Sequence, residues 1–220
     1  MRHLPDCRVF AIDLPGHGRT AGPGRQSIED YVHSVINFLD STGLSQAVIV
    51  GYSMGGAIAL ALALDHPDRV AGIGLISTGA RLPIPSPVME NVANPSTFTL
   101  AVKILLDMSL DSQTPVALKE IIFKRLTATR QTLMLNDLLA CDRFDVINRL
   151  GDVSTPTLVV CGTDDKMTPI RSSETLSGRI PGAALQTVDG VGHLLILEQP
   201  RRLAKLVNIF MASIQYMPGM

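Results

Sequence analysis

A single serine stands between glycines at residues 51–55, in the order Gly51-Tyr52-Ser53-Met54-Gly55. The apolar run before it is typical of a buried strand, and the run of small apolar residues after it is typical of a helix. In so tight a strand-to-helix turn, flanking glycines leave the room that side chains would fill, and the serine hydroxyl projects above the carboxyl end of the strand. The pattern predicts that Ser53 is a nucleophile rather than a small residue packed in a turn.

A serine hydroxyl acts as a nucleophile only with a base beside it, and that base needs a group to orient it. His193 follows the last predicted strand in a glycine-rich loop, and the other histidines fit the role less well (His3, His17, His33 and His66). Asp164 and Asp165 directly follow the predicted strand at 157–162, so either carboxylate is placed to hold the imidazole. The alternative for each aspartate is an ordinary turn or a helix N-cap. Three strand ends thus deliver Ser, Asp and His in the chain order of one class of serine hydrolase.

The helix predicted after Ser53 begins with N–H groups that have no partner within the helix, and its dipole is positive at that end. The Met54 amide is the first of these groups. We expect it to bind the negative charge that develops on a carbonyl oxygen under attack by Ser53.

Short β-branched runs alternate with longer amphipathic runs along the chain, which is typical of parallel strands joined by helices. Strands are predicted at 8–13, 47–51, 70–77, 157–162 and 184–188, and several are apolar at every position, as buried parallel strands are. Helices are predicted at 27–41, 54–65, 170–179 and 201–214, with Ser27 as the N-cap of the first. The predicted fold class is α/β, a mostly parallel sheet with flanking helices.

Residues 82–145 interrupt this alternation, because they contain no convincing strand. Prolines make the start of this segment irregular, and helical patterns follow near 98–108, 115–129 and 131–142. We expect a helical insertion, the cap, on a core made of residues 1–81 and 146–220. Several bulky cap side chains either line an apolar substrate pocket or, as we prefer for this spacing, pack the cap against the core (Met89, Phe98, Met108, Phe123, Met134 and Phe144).

The composition argues against several functional classes. The chain has 19 Lys and Arg residues against 20 Asp and Glu, a net charge of -1, and their scattered positions offer no basic face for nucleic acid. Cys7, Cys141 and Cys161 form no CxxC pair, which favours reduced thiols over disulfides or a zinc site. No apolar run is long enough to span a bilayer. We expect a cytoplasmic protein of one domain that needs no metal and no organic cofactor.

Four stretches together resemble the α/β-hydrolase fold superfamily: AIDLPGHGRT (11–20), GYSMGGAIAL (51–60), PTLVVCGTDDKMTP (156–169) and GVGHLLILEQP (190–200). The resemblance covers nearly the whole chain. It aligns Asp165, not Asp164, with the family's catalytic acid, because Gly162 and Pro169 set the register, and it places residues 82–145 where the family inserts a helical cap. The relatives that it implies are small esterases, enol-lactonases, carbon–carbon bond hydrolases and lysophospholipase-like proteins.

The resemblance fails at the start of the chain. Relatives carry three strands before the first of these stretches, and an HG motif after the third strand supplies a second N–H to the oxyanion hole; residues 1–10 match neither. We therefore expect an N-terminally incomplete sheet, in which the strand at 8–13 either lacks its neighbour or pairs directly with 47–51. Loss of one oxyanion donor typically costs roughly a hundred- to a thousandfold in rate.

Three functions are open on the sequence alone. The leading one is hydrolysis of a small or medium carboxylic ester or lactone, with Ser53, Asp165 and His193 as catalytic residues and the Met54 amide in the oxyanion hole. The second keeps these residues but cleaves a carbon–carbon bond beside a ketone. The third is an impaired hydrolase fold that acts as a binding module, and a homodimer formed through exposed sheet edges would be its sign.

Overall fold

The structure is a computed structural model that describes residues 7–111 and 114–214. One sheet of four parallel strands runs in chain order: β1 (Ala47–Tyr52), β2 (Val70–Ile76), β3 (Thr157–Gly162) and β4 (Ala184–Val188). The helices are α1 (Ile28–Ser41), α2 (Met54–Asp65), α3 (Ser86–Ala93), α4 (Phe98–Ser109), α5 (Val116–Thr127), α6 (Gln131–Asp142), α7 (Ile170–Arg179), α8 (Leu195–Glu198) and α9 (Pro200–Ser213). Short 3-10 helices lie at Pro67–Arg69 and Ile147–Asp152.

Helices cover both faces of the sheet. On one face, Ile73 and Leu75 of β2 and Val159 of β3 pack with buried residues of α1, α2 and α7. On the other face, Leu158 and Val160 of β3 pack with residues of α8 and α9. Consecutive residues of a strand point to opposite faces, and both faces of β3 are covered, so all six of its residues are buried, Thr157 at its start included. The α/β fold class predicted from the sequence is confirmed.

Helix boundaries follow the sequence closely where capping and periodicity agree. The Ser27 hydroxyl accepts the Asp30 N–H at 3.2 Å, which confirms the predicted N-cap of α1. Helices α2 and α7 have the predicted bounds. Cys141 and Cys161 are buried free thiols and Cys7 is half-buried. Burial raises the pKa of the Cys141 thiol to about 12, so this thiol stays protonated and inert.

The strand predicted at 8–13 is wrong. These residues are irregular, and Val9, Phe10 and Ile12 are exposed. The Phe10 ring packs against Phe38 of α1, with ring centroids 5.5 Å apart. An apolar, β-branched run becomes a strand only where its backbone hydrogen-bonds a neighbouring strand. This run lies beside α1 instead, and within the described residues the outer edge of β1 has no paired strand. Direct pairing with 47–51 does not occur, and a homodimer through exposed sheet edges stays a prediction.

The segment 82–145 leaves the sheet after β2 and returns before β3. Its two ends lie side by side, because Arg81 and Asp145 form an antiparallel bridge and an ion pair of 2.7 Å, and the Val146 N–H donates to the Ala80 carbonyl. Its helices are α3 to α6, which share a hydrophobic cluster of their own. The prolines near 85 suggested an irregular stretch, yet α3 begins there, since a proline fits the first turn of a helix.

A polar cluster joins this segment to the loop before α1. His17 Nε2 lies 2.9 Å from Asp137 Oδ2 on α6, and the Tyr31 hydroxyl of α1 donates to Asp137 Oδ1 at 2.5 Å. The hydrogen bond to Asp137 is the main reason that the pKa of His17 is raised above its ordinary value of 6.5. His17 therefore belongs to a structural cluster and not to the predicted catalytic group.

We expect the charged His17–Asp137 pair to make stability depend on pH. A histidine with a raised folded-state pKa adds stability that is complete below its ordinary pKa of 6.5 and is lost as pH rises through the folded value. The free energy of unfolding of the wild type should therefore exceed that of His17→Gln by about 1 kcal/mol at about pH 5.5 and by less at about pH 9. Urea unfolding at both values measures the margins. His33→Gln, at an exposed position on α1, is the control. If the difference between wild type and His17→Gln were the same at both pH values, the proposed effect of the pair would be refuted.

Candidate active site

The turn between β1 and α2 is the tightest in the site. Ser53 has φ 51° and ψ -117°, a left-handed conformation that side chains rarely adopt. A Cβ at Gly51 would overlap the Gly55 carbonyl group, so only glycine fits there. The expectation that both flanking glycines are sterically required is wrong for Gly55, where a Cβ would meet nothing within 4 Å. Gly56 is the second tight position, since its Cβ would lie 2.6 Å from Thr78 Cγ2.

The end of β2 fixes this turn from the side. The Ser53 N–H donates to the Ile76 carbonyl at 2.9 Å, and the Thr78 hydroxyl donates to the Ser53 carbonyl at 2.8 Å. The N–H and the carbonyl of Ser53 are thus both hydrogen-bonded to the end of β2, and neither bond uses the Ser53 hydroxyl. A strained backbone that its surroundings hold in this way is typical of functional sites.

The structure brings Ser53, His193 and Asp165 together in one chain of hydrogen bonds. His193 Nε2 lies 3.0 Å from Ser53 Oγ, and His193 Nδ1 lies 2.9 Å from Asp165 Oδ2. An ionised carboxylate only accepts hydrogen bonds, so Nδ1 carries the proton and Nε2 accepts from the serine hydroxyl. The His193 and Asp165 side chains are 4% and 0% exposed, which keeps water away from their contact.

Asp165 is held by its own loop. Its Oδ1 accepts the N–H groups of Met167 and Thr168 at 2.9 and 2.8 Å, and its Oδ2 accepts the Thr168 hydroxyl at 2.7 Å. The Thr168 oxygen also lies 3.3 Å from His193 Nδ1. Asp164 is exposed, and its hydrogen bonds involve other partners: its N–H donates to the Val191 carbonyl, and its Oδ1 accepts from the Thr163 hydroxyl. The structure therefore places Asp165, and not Asp164, behind the histidine.

The loop that carries His193 is packed tightly between β3 and the end of α4. A Cβ at Gly162 would overlap the Val191 carbonyl, and a Cβ at Gly192 would lie 2.9 Å from the Ser109 carbonyl oxygen. The Leu194 N–H donates to that same Ser109 carbonyl at 3.1 Å. The backbone on either side of His193 thus touches the segment 82–145.

Tyr52 covers the imidazole from one side. Its ring centroid lies 5.1 Å from that of His193, at a tilt of 45°. Burial, followed by the nearby charges of Asp165 and Glu198, raises the pKa of the Tyr52 phenol, so Tyr52 stays neutral. A neutral aromatic wall shields the histidine without competing for its proton.

Two comparisons with known proteins point to one family. The model of the alpha/beta hydrolase family matches residues 2–206. The 2-hydroxymuconate semialdehyde hydrolase of Pseudomonas putida is 31% identical over 218 residues, which cover 94% of this chain and 77% of that protein.

The chain belongs to the alpha/beta hydrolase family.

Two solved structures show the same relationship. A thermophilic esterase is 29% identical with a TM-score of 0.82, covering 91% of this chain and 79% of its own. The enol-lactonase from Burkholderia xenovorans LB400 has a TM-score of 0.83 at 23% identity, covering 90% of this chain and 78% of its own, and shows the shared fold. These findings confirm the resemblance seen in the sequence and identify the protein as a hydrolase.

Several supporting residues of this hydrolase were not predicted. Thr168, Thr78 and Glu198 each fix a backbone or side-chain group of the site through hydrogen bonds. A threonine three residues after Asp165 and a lone glutamate in the apolar run after His193 were visible in the sequence, but only the folded loops show what they contact.

Four of the six bulky residues that the sequence placed in segment 82–145 pack in hydrophobic clusters, three in the cluster of α3 to α6 and one in the cluster of the sheet. Met134 lies in the hydrophobic cluster of α3 to α6, with Phe98 and Phe123 against it, and Phe144 lies in the cluster of the sheet. In the part of the chain that the structure describes, no three His, Cys, Asp or Glu side chains meet as metal ligands would. Within residues 7–111 and 114–214, no helix has the length and apolarity to cross a membrane.

We expect the two glycines of the Ser53 turn to respond differently to a methyl group. Gly51→Ala forces β1 away from α2 and should cost about 1–3 kcal/mol or more in the free energy of unfolding. Gly55→Ala, in open space, should stay within about 0.5 kcal/mol of wild type. Urea unfolding of both variants tests this difference. A Gly51→Ala protein as stable as wild type would mean that the turn is not sterically limited.

Proposed function

We propose that this hydrolase cleaves small or medium carboxylic esters or lactones through an acyl-enzyme on Ser53. The observation that carries the proposal is the 3.0 Å contact between Ser53 Oγ and His193 Nε2, with Asp165 bonded to the opposite ring nitrogen. This order of nucleophile, base and orienting carboxylate is what acyl transfer requires.

In the first step, Ser53 Oγ attacks the carbonyl carbon of the substrate. His193 Nε2 takes the hydroxyl proton and then gives it to the leaving oxygen as the carbon–oxygen bond breaks. Asp165 holds the Nδ1–H tautomer and stabilises the imidazolium between these two transfers. Because both side chains are buried, this charge interaction is not weakened by water.

The Met54 N–H is the candidate donor for the oxyanion. It opens α2 next to Ser53, and it donates to no acceptor in the described part of the chain. The helix dipole adds to the attraction for negative charge at this point. A water molecule, activated by the neutral His193, then attacks the acyl group and releases Ser53.

Similar proteins support an ester or a lactone as the substrate class, but they do not identify a particular substrate for this chain. The thermophilic esterase at 29% identity favours carboxylic ester chemistry, and the enol-lactonase shows that the same fold holds a lactone-cleaving site. The constellation needs no metal or organic cofactor in these steps. A cytoplasmic location, expected from the sequence, stays a prediction.

A second candidate keeps the same residues and changes the bond. The relative at 31% identity is named a semialdehyde hydrolase, not an esterase. A carbon–carbon bond beside a ketone is therefore the alternative target. Product analysis separates the two, since an ester yields an alcohol and an acid, whereas carbon–carbon cleavage yields an acid and a carbon fragment without a new hydroxyl.

We expect a fluorophosphonate to label Ser53 and no other serine. Ser53→Ala removes the nucleophile and His193→Ala removes its base, so both variants should lose the adduct seen by mass spectrometry. Ser77→Ala is the matched control: Ser77 also has a positive φ (45°) and a buried hydroxyl, at the next strand end, yet it contacts no base. It should label like wild type.

The same proteins decide between an enzyme and a binding module. Hydrolysis of 4-nitrophenyl acetate or butyrate that is lost in Ser53→Ala supports the esterase. A folded wild type without adduct or hydrolysis would refute it and favour the impaired fold that only binds. Loss of Ser53 or His193 should lower kcat by about 10⁴-fold or more, because the groups act as a unit.

A further inference from the structure

The glutamate at the end of α8 contacts both the catalytic-histidine loop and the segment 82–145. Glu198 Oε2 accepts the Gly192 N–H at 2.7 Å. Glu198 Oε1 accepts the Thr114 hydroxyl at 2.6 Å and the Asp111 N–H at 3.2 Å. Each carboxylate oxygen thus serves a different part of the chain, and a charged acceptor makes these bonds stronger than neutral ones.

These contacts complete a frame around His193. The N–H before the histidine, on Gly192, is held by Glu198, and the N–H after it, on Leu194, is held by the Ser109 carbonyl at 3.1 Å. Three of these contacts come from the end of α4 and the residues just after it. We call Ser109, Asp111 and Thr114 the α4 exit. Both hydrogen bonds that flank His193 therefore depend on the α4 exit, one directly and one through Glu198.

Close packing shows that the frame leaves little freedom. A Cβ at Gly192 would lie 2.8 Å from the Asp111 nitrogen and 2.9 Å from the Ser109 oxygen, so backbone meets backbone there. If the carboxylate is removed, the Gly192 and Asp111 N–H groups lose an acceptor in a confined place, which favours movement of the loop. A displacement of the imidazole lengthens its contact with Ser53 Oγ.

We propose that Glu198 is a positioning residue: its carboxylate ties the α4 exit to the Gly192 N–H and so holds His193 at hydrogen-bond distance from Ser53. This inference rests on the proposed function, in which His193 is the base. Glu198 touches neither of the reacting atoms. Its effect reaches the reaction through the histidine and not through contact with substrate, so it should act on kcat and not on KM.

The test is Glu198→Gln, which keeps the size of the side chain but leaves one accepting oxygen where two are needed. With 4-nitrophenyl butyrate, kcat should fall about 10- to 100-fold while KM stays within about twofold. The rate of Ser53 phosphonylation should fall by a similar factor. Glu90→Gln, an exposed carboxylate on α3, is the matched control and should match wild type.

A second pair of variants probes the other end of the contact. Thr114→Val removes the hydroxyl that donates to Glu198 Oε1, and Thr114→Ser keeps it. We expect Thr114→Val to lower kcat and Thr114→Ser to recover most of the loss. This pair decides the question if Glu198→Gln does not fold. Equal kcat values for Val and Ser at this position would overturn the link between the α4 exit and the histidine.

A measurement that needs no substrate separates this inference from the proposed function. The proton on His193 Nδ1, bonded to Asp165, gives a low-field NMR signal whose position reports the geometry of the imidazole. The signal should shift or broaden in Glu198→Gln and stay in place in Glu90→Gln. An unchanged signal together with unchanged kcat would overturn the inference. A shifted signal in a protein that neither hydrolyses esters nor labels would support positioning and refute the esterase.

Discussion

The turn at Ser53 exists because β1 and α2 approach each other at Gly51 more closely than any side chain allows. A Cβ there would overlap the Gly55 carbonyl, and the left-handed Ser53 backbone results from this approach. Two groups at the end of β2, the Ile76 carbonyl and the Thr78 hydroxyl, then hold the Ser53 peptide in place. Ser53 is thus positioned by the sheet itself, and the other groups of the site have to reach it.

The three reactive groups are held with different kinds of support. Asp165 is fixed by three hydrogen bonds from the next few residues, all within its own loop. Ser53 is fixed by the neighbouring strand. His193 lies in a longer loop, and its neighbours in sequence are held by a distant part of the chain, the Ser109 carbonyl, and by Glu198. In the proposed mechanism the proton thus moves through His193, the residue of the three whose support is least local.

Much of this arrangement could be predicted from sequence because it depends on local rules. The bounds of α2 and α7, the Ser27 cap and the apolar β3 follow from periodicity, capping and burial on both faces of the sheet. The convergence of Ser53, Asp165 and His193 follows from parallel strands, whose carboxyl ends meet at one edge. These inferences need no knowledge of distant contacts.

What the sequence did not reveal depends on partners far away in the chain. Residues 8–13 have strand propensity, but a strand also needs its backbone to lie along a neighbouring strand, and this run lies beside α1 and, in the described part of the chain, makes no pairing with the free edge of β1. The assumption that both glycines of the Ser53 turn are tight fails at Gly55, because the helix turns that position toward open space. The roles of Thr168 and Glu198 appear only when loops are brought together in the fold.

The Arg81–Asp145 bridge brings the two ends of the segment 82–145 to neighbouring positions. The bridge can form whichever helices lie between these ends, since the entropic cost of bringing the ends of a segment together grows only slowly with its length. The helices of this segment can therefore change in length and sequence without moving the strands of the sheet. The path of the backbone at the α4 exit is more constrained, because the Ser109 carbonyl bonds the histidine loop directly and Asp111 and Thr114 bond it through Glu198. A segment with other helices would therefore still have to return the backbone to this place.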